Sequence, residues 1–475
     1  MRHPRAAAVA GTLSVVAFGL GVLPGARGGL WQDEGVSATA AAGSWHDLWH
    51  MLRTYDPNMS LYDVVLRVWQ VGGTGEAWMR SLSALFLGAT VFVVYLVATR
   101  LRDPYAGMAA AFVFAFAPLA VRYSHETRSY GLLAFLVAVA TLCFVRFVDD
   151  PSAGRAIACG AVTALAAYAH AYGLLVAVAF AVSLLLLGRS LPRARLLAVL
   201  GGAYAVCVAP FLLLVAAGPD PLIDWIQRPS FGTLRGTAAQ VAGNNVLLLL
   251  TAIAIGILVF QAWRVGQTDG RSGALWSLGL PVLGVLVPPV VALVWSLAVQ
   301  PILVGRYLIV SLPALAVTAG VALTFVHRTA LQIGVLVVVL GASAVTIRNV
   351  VDEPKPHDFS QAVAYFVAHA QPGDGVVFCP SSVRPAFEWY LLRDGAAHDL
   401  VPISPSVAWS DGTHADEGNR AELARFADAP RIWVVALDES VPAANAPCAL
   451  DRSMAGRTAT PTRDVGHVRL TRYDS

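Results

Sequence analysis

The sequence predicts an all-α polytopic membrane bundle of about eleven transmembrane helices, followed by a small C-terminal α/β domain. Three observations carry this. Hydrophobic residues make up 57% of the 475 and charged residues 13%, against roughly a quarter charged in soluble domains. Mean hydropathy is +0.63. The apolar residues fall in runs long enough to cross a ~30 Å hydrocarbon core, which takes ~20 residues of helix. From about residue 350 these runs give way to short apolar stretches between polar ones, which sets a division into 1–349 and 350–475.

In chain order, Arg2 and Arg5 precede an apolar run over 6–23. This resembles a signal peptide, but the many spans after it make it an uncleaved first helix with its N-terminus in the cytoplasm. A polar segment follows over 25–77 and opens with Trp31-Gln32-Asp33-Glu34-Gly35, read as the start of a loop. Within it, Ser44–Trp49 and Leu61–Leu66 are patterned as short amphipathic helices whose Trp and Tyr side chains suit the headgroup level. Further apolar runs lie at roughly 79–99, 105–121, 130–148, 156–170, 172–187, 196–217, 244–262, 274–298, 307–326 and 331–346. The break at His170-Ala171-Tyr172-Gly173 acts as a turn between two of them, and Pro288-Pro289 kinks another.

Arginine placement orients the bundle. Arg100, Arg102, Arg146, Arg155, Arg189, Arg193, Arg195, Arg264, Arg271 and Arg328 share one side with the N-terminus, the cytoplasm by the positive-inside rule. The other side then receives 25–77, 122–129, 218–243, 299–306 and the tail. In that tail, Asp358–Ala370 is patterned as an amphipathic helix, Pro372–Gly375 as a turn, and Val376–Phe378 and Ile432–Ala436 as buried strands. Alternating helices and short strands indicate an α/β domain.

A net charge of +3 without a basic cluster argues against a nucleic-acid partner. Lys355 is the single lysine, and arginine, the better bidentate phosphate ligand, carries the remaining positive charge. Cys143, Cys159 and Cys207 lie in apolar runs, while Cys379 and Cys448 are available for one disulfide in an extracytoplasmic tail. No CxxC or His/Cys cluster marks a structural zinc site.

Titratable residues concentrate on the outer side. Asp33 and Glu34 follow the first span, where carboxylates are costly unless they pair, bind metal or do chemistry. The loop from Arg122 to Tyr130 includes His125, Glu126 and Arg128, with Glu126 and Arg122 at a pairing distance of four residues. His170 and Tyr172 mark another outer boundary. Arg306 is placed either to snorkel to the interface or to clamp a phosphate. Trp45, His46, Trp49 and His50 belong rather to a helix lying on the membrane. A transporter would put polar groups near mid-bilayer in broken helices, whereas these span interiors are almost uncharged. The pattern favours chemistry at the interface.

At these residues the sequence resembles the polytopic GT-C glycosyltransferases, which include protein O-mannosyltransferases, lipid A aminoarabinose transferases and the bacterial RgtA/B/C/D-like group. The resemblance rests on Asp33-Glu34, on Asp56-Pro57-Asn58-Met59-Ser60-Leu61-Tyr62, and on Ser124-His125-Glu126-Thr127-Arg128-Ser129-Tyr130-Gly131. It rests further on Tyr168–Gly173, on Arg306-Tyr307-Leu308, and on Pro356–Phe359 followed by Pro372-Gly373-Asp374. Met59-Ser60 stands where the family usually has prolines.

The resemblance implies a sugar donor on a polyprenyl phosphate and inverting transfer, at the outer membrane face, to a cell-envelope glycan, lipid or protein. It makes Asp33 the general base with Glu34 positioning it or the acceptor, and it puts Arg128, Arg306, Tyr130 and Tyr307 on the donor phosphate. Asp56, Asn58, Tyr62, His125, Glu126, His170 and Tyr172 fall to substrate binding. It fixes no cofactor. Some relatives use a divalent metal, for which Glu126, His125 and His170 are the candidate ligands. The rivals are a transporter or flippase of an anionic glycolipid and a non-catalytic assembly subunit.

Overall fold

The computed structural model describes residues 4–25, 28–54, 57–217, 226–267, 272–353, 356–379, 383–394, 401–402, 429–437 and 456–475. The first span is α1 (Pro4–Gly25). The polar segment after it folds into three short helices, α2 (Gln32–Ala42), α3 (Trp45–Thr54) and α4 (Ser60–Trp69). The two amphipathic helices were expected; α2 was not, and Asp33 and Glu34 lie in its first turn rather than in a loop.

The membrane bundle continues with α5 (Glu76–Leu101), α6 (Pro104–Ala115), α7 (Pro118–Ser124), α8 (Tyr130–Asp149), α9 (Ala153–Ala169), α10 (Leu174–Leu184) and α11 (Ala194–Ala217). It is completed by α12 (Phe231–Ala242), α13 (Asn245–Gly266), α14 (Ser272–Ala298), α15 (Leu312–Leu323) and α16 (Thr329–Asp352). Local chemistry sets several starts. Asp103 caps α6 by accepting from the Ala106 amide, with Pro104 in the first turn, and Asn244 caps α13 through the Leu247 amide. Pro118 opens α7, which leaves α6 at a 54° bend.

Among the described residues nine helices are long and apolar enough to cross a membrane, and the bent α6–α7 pair makes a tenth. The expected eleventh, α9, has 17 residues, short of the ~20 a straight span takes. The chain is a multi-pass membrane protein whose centre and rim are distinct. The apolar windows of α15, α8 and α5 are 78%, 67% and 61% buried, while those of α11 and α16 are 11% buried and face lipid.

The tail after α16 holds α17 (Phe359–His369), β1 (Gly375–Cys379), α18 (Arg384–Arg393), β2 (Val401–Pro402), β3 (Arg431–Leu437), β4 (Thr458–Ala459), β5 (Arg463–Val465) and β6 (Val468–Asp474). The sheet order is β2-β1-β3-β6-β4, with β5 also paired to β6. β1 and β3 run parallel with Val376 opposite Trp433; β3 and β6 run antiparallel with Ile432 opposite Tyr473. Phe366 and Phe387 meet edge-on at 5.3 Å over this sheet, and Phe366 meets Trp433 at 5.4 Å. The expected α17, β1 and β3 are present, and the expected boundary at 349/350 falls inside the last turn of α16. Cys448, which with Cys379 was open to a disulfide, lies outside the described residues.

This domain sits on the start of α2. Gly35 packs so closely on Ala386 that a Cβ there would come within 2.3 Å of the alanine Cβ. Thr39 Oγ1 donates to the Pro385 carbonyl at 2.8 Å, and the Leu30 amide donates to Tyr390 Oη at 2.7 Å. Tyr390 in turn donates to Glu76 Oε1 at 2.9 Å. The tail therefore helps fix the helix that carries the acidic pair.

Candidate active site

A helix N-terminus favours carboxylates, and Asp33 and Glu34 both occupy it. Their surroundings differ sharply. Glu34 is 0% exposed, with Oε1 accepting from Arg80 Nε at 2.8 Å and Oε2 from Arg80 Nη2 at 2.8 Å. Oε1 also accepts the Thr127 amide at 2.9 Å. Arg80, itself 1% exposed, donates further to the Gly28 and Gly29 carbonyls at 3.0 and 2.8 Å. A buried carboxylate survives only with such complete pairing. Of the two expectations for Glu34, burial disfavours contact with an acceptor, whereas its bonds to Arg80 and the Thr127 amide tie α2 to α5 and to the 125–129 loop and so bear on the placement of Asp33.

Asp33 is half-buried, and its carboxylate lies within electrostatic reach of the Arg306 guanidinium and of Tyr130. Arg128 crosses from the start of α8, donating to the Asp33 carbonyl at 3.0 Å and to Ser37 Oγ at 3.2 Å. The Arg128 carbonyl accepts from Ser83 Oγ at 3.0 Å, and Ser83 Oγ meets Tyr62 Oη at 3.1 Å. The Tyr62 hydroxyl is buried, which pushes its ionisation far above the ordinary range and keeps it a neutral hydrogen-bonding group.

Aromatic rings wall this spot. His170 lies 4.5 Å from the Tyr307 ring and 6.1 Å from Tyr130, and Tyr172 lies 5.4 Å from Tyr307. Asn58 Oδ1 accepts the Ala171 amide at 2.8 Å, so the segment just before α4 braces the turn that carries His170 and Tyr172. The Arg306 guanidinium sits 5.4 Å from the Tyr307 ring centre. Arg306 and Tyr307 belong to a 3-10 turn, Gly305–Ser311, whose first residue lies against the Gln240 side chain of α12: a Cβ on Gly305 would meet Gln240 Oε1 at 1.9 Å unless that side chain moved.

Remote parts of the chain thus bring Asp33, Arg128, Tyr130, His170, Tyr172, Arg306 and Tyr307 to one place. Other predicted residues go elsewhere. Asp56 lies outside the described residues. His125 turns to the Leu20 carbonyl, with Nε2 at 2.8 Å. Arg122 pairs with Glu353 at 2.6 Å rather than closing on Glu126 alone. Glu126, His125 and His170 do not form a metal set, and among the described residues no three His, Cys, Asp or Glu are placed to hold an ion. Met59, where the family has proline, adopts φ +70°, a value closed to the proline ring.

Sequence reasoning missed two residues. Arg80 was legible as a charge inside an apolar run, a rare and costly placement. Asp63 is 4% exposed beside Tyr62, and its amphipathic setting on α4 gave no such signal.

Residues 65–214 match the family model described as dolichyl-phosphate-mannose-protein mannosyltransferase. The fold resembles that of ArnT from Cupriavidus metallidurans in the apo state, at 15% identity over 97% of both chains with a TM-score of 0.65. Against ArnT bound to undecaprenyl phosphate the values are 14%, 97% of both chains and 0.66. The chain has the GT-C glycosyltransferase fold. The oligosaccharyltransferase of Archaeoglobus fulgidus, solved with Zn and sulfate, shares this GT-C fold more distantly, at 12% identity over 90% of this chain and 67% of its own, with a TM-score of 0.56. No protein with a curated description matches. Within the GT-C fold of this chain, the stretch matched by the family model includes Arg80, Arg128 and His170 and excludes Asp33 and Arg306.

Proposed function

We propose that the chain transfers a sugar from a polyprenyl-phosphate donor to a hydroxyl acceptor at the outer face of the cytoplasmic membrane, with inversion. The acceptor belongs to the cell envelope, as a glycan, lipid or protein. The N-terminus is cytoplasmic and the C-terminal domain extracytoplasmic, in keeping with the arginines on the side opposite the acidic pair.

One observation carries this reading: of the two adjacent carboxylates, the half-buried one lies within electrostatic reach of the Arg306 guanidinium, and the other is closed by Arg80. In the reaction the acceptor oxygen attacks the anomeric carbon and its proton passes to the Asp33 carboxylate. The bond from the anomeric carbon to the phosphate oxygen breaks, and the lipid phosphate leaves with the bonding pair and one more negative charge. Arg306, with the positive field of Arg128, stabilises that charge as it grows. Arg128 also holds the Asp33 backbone, which links base placement to phosphate recognition. The rings of Tyr130, Tyr172, Tyr307 and His170 exclude water from the reacting centre.

The test is sugar transfer from a polyprenyl-phosphate donor in membranes containing the full chain. Asp33→Asn is expected to lower the rate by about 10²–10⁴-fold at unchanged protein level. Full activity in that variant removes Asp33 as base.

A further inference from the structure

Polar side chains alternate along Asn58-Met59-Ser60-Leu61-Tyr62, and each bonds to another part of the bundle. Asn58 Oδ1 accepts the Ala171 amide at 2.8 Å, and Ser60 Oγ donates to the Tyr168 carbonyl at 3.4 Å, so both hold the end of α9 and the turn after it. Tyr62 Oη instead meets Ser83 Oγ of α5 at 3.1 Å. Between the first two, Met59 stands at φ +70° with its side chain buried. A non-glycine residue keeps that conformation only where its surroundings over-determine it, and such positions gather where function needs a fixed geometry.

The direction of the Tyr62 contact is settled by its neighbour. Ser83 Oγ has one proton and donates it to the Arg128 carbonyl at 3.0 Å. A carbonyl only accepts, so the proton between Ser83 and Tyr62 comes from the tyrosine. A serine hydroxyl is a free rotor, and a donor on its far side is what keeps its proton on the carbonyl. Tyr62 supplies that donor from a 0% exposed position, within electrostatic reach of both Glu34 and Arg128. α8 comes close enough to Ser83 because residue 131 is glycine: a Cβ there would lie 2.6 Å from the Ser83 carbonyl oxygen. From Arg128 the chain of bonds continues through the guanidinium to the Asp33 carbonyl and Ser37 Oγ. It therefore runs from α4 through α5 and the 125–129 loop to α2.

We infer that Tyr62 is a positioning residue for the transfer reaction: through Ser83 it fixes the backbone of Arg128, and with it the guanidinium and the start of α2. The inference rests on the proposed function for what Arg128 does to the donor. The tie itself does not.

The test uses the full chain in nanodiscs. Tyr62→Phe keeps the ring and removes the donor; Ser83→Ala removes the middle of the relay. Each is expected to lower kcat for sugar transfer by ~10–10²-fold, the cost of a misplaced group. The two losses belong to one chain of bonds, so the double variant should fall no more than about twofold below Ser83→Ala. For the same reason Tyr62→Phe should change the residual rate of Arg128→Met by less than about twofold. A general weakening of the fold would instead multiply the losses in both combinations, and that outcome overturns the inference, as does an unchanged kcat in either single variant. Hydrogen exchange of peptides spanning 124–132 reads the tie without reference to activity. It is expected to be faster in Tyr62→Phe and in Ser83→Ala than in wild type; equal exchange overturns the inference even where transfer falls. Faster exchange in the variants of a wild-type chain that transfers no sugar from a polyprenyl-phosphate donor overturns the proposed function and leaves the tie standing.

Discussion

Removing one partner of the Glu34–Arg80 pair separates its structural role from its positioning role. Both side chains are essentially inaccessible, and Arg80 makes two bonds to the carboxylate and two to backbone carbonyls. Arg80→Met leaves the carboxylate buried without its counter-charge, and Glu34→Gln leaves the guanidinium so. Each is expected to cost about 3–5 kcal/mol of stability. Glu34→Leu combined with Arg80→Met removes both charges, and replacing a buried pair by apolar groups is often neutral or even stabilising by ~1–4 kcal/mol. Thermal unfolding of the purified chain should therefore show two unstable single variants and a double variant close to wild type. Sugar transfer should not follow that recovery. The double variant still lacks the donors to the Gly28 and Gly29 carbonyls and the acceptor of the Thr127 amide, so the start of α2, and Asp33 with it, is no longer fixed. Positional errors of this kind cost ~10²-fold. A double variant that regains both stability and full transfer refutes the positioning role.

Three further outcomes follow from the same geometry. Arg306→Lys keeps the charge but loses the planar fork, and transfer is expected to fall by about 10–10³-fold with protein level unchanged, measured at saturating donor. Gly35→Val has no room against Ala386 and should loosen the C-terminal domain from α2; faster proteolysis within 380–475, compared with wild type, checks this. Asp358 is partly buried, which by itself opposes ionisation, but bonds from Ser360, Gln361 and the Gly29 backbone outweigh that and hold its carboxyl below the usual range. The sign follows: its stabilisation is complete above the unfolded value of ~4 and is lost as pH falls through the lower folded value. Asp358→Asn should thus destabilise the chain near pH 7 and flatten the acid limb of its unfolding profile.

The parts of this molecule that were legible in the sequence are those with a period or a cost. Apolar runs gave the spans because a bilayer demands a fixed length. Charges at the ends of apolar runs singled out Asp33, Arg128 and Arg306, which the fold brings into one neighbourhood, because charge near a bilayer is expensive. What stayed hidden needed the third dimension. The pairing of Glu34 with Arg80 joins positions 46 residues apart, and no local pattern announces it. Helix α2 was read as loop because its Gly, Ser, Thr and Ala side chains carry no amphipathic stripe; it is held by packing on α18 instead. The three scattered candidates for metal ligands shared only a predicted side of the membrane, too coarse a coordinate for a coordination sphere.

The division of labour between the two adjacent acids has a geometric cause. Successive residues on an α-helix are turned by ~100°, so neighbours in its first turn cannot face the same partner. With α2 set as it is, one carboxylate enters the bundle and its predecessor is turned to another side, within electrostatic reach of Arg306. The inward acid is matched by the one arginine in the interior of α5, and that match anchors the helix. The outward acid stays half-buried at the helix start, the placement the proposed base needs. A loop could present the same two residues, but it would fix neither direction. The helical start of α2, the close approach of Ala386 and the buried arginine are therefore three parts of one arrangement, which fixes the direction of the acid proposed as the base.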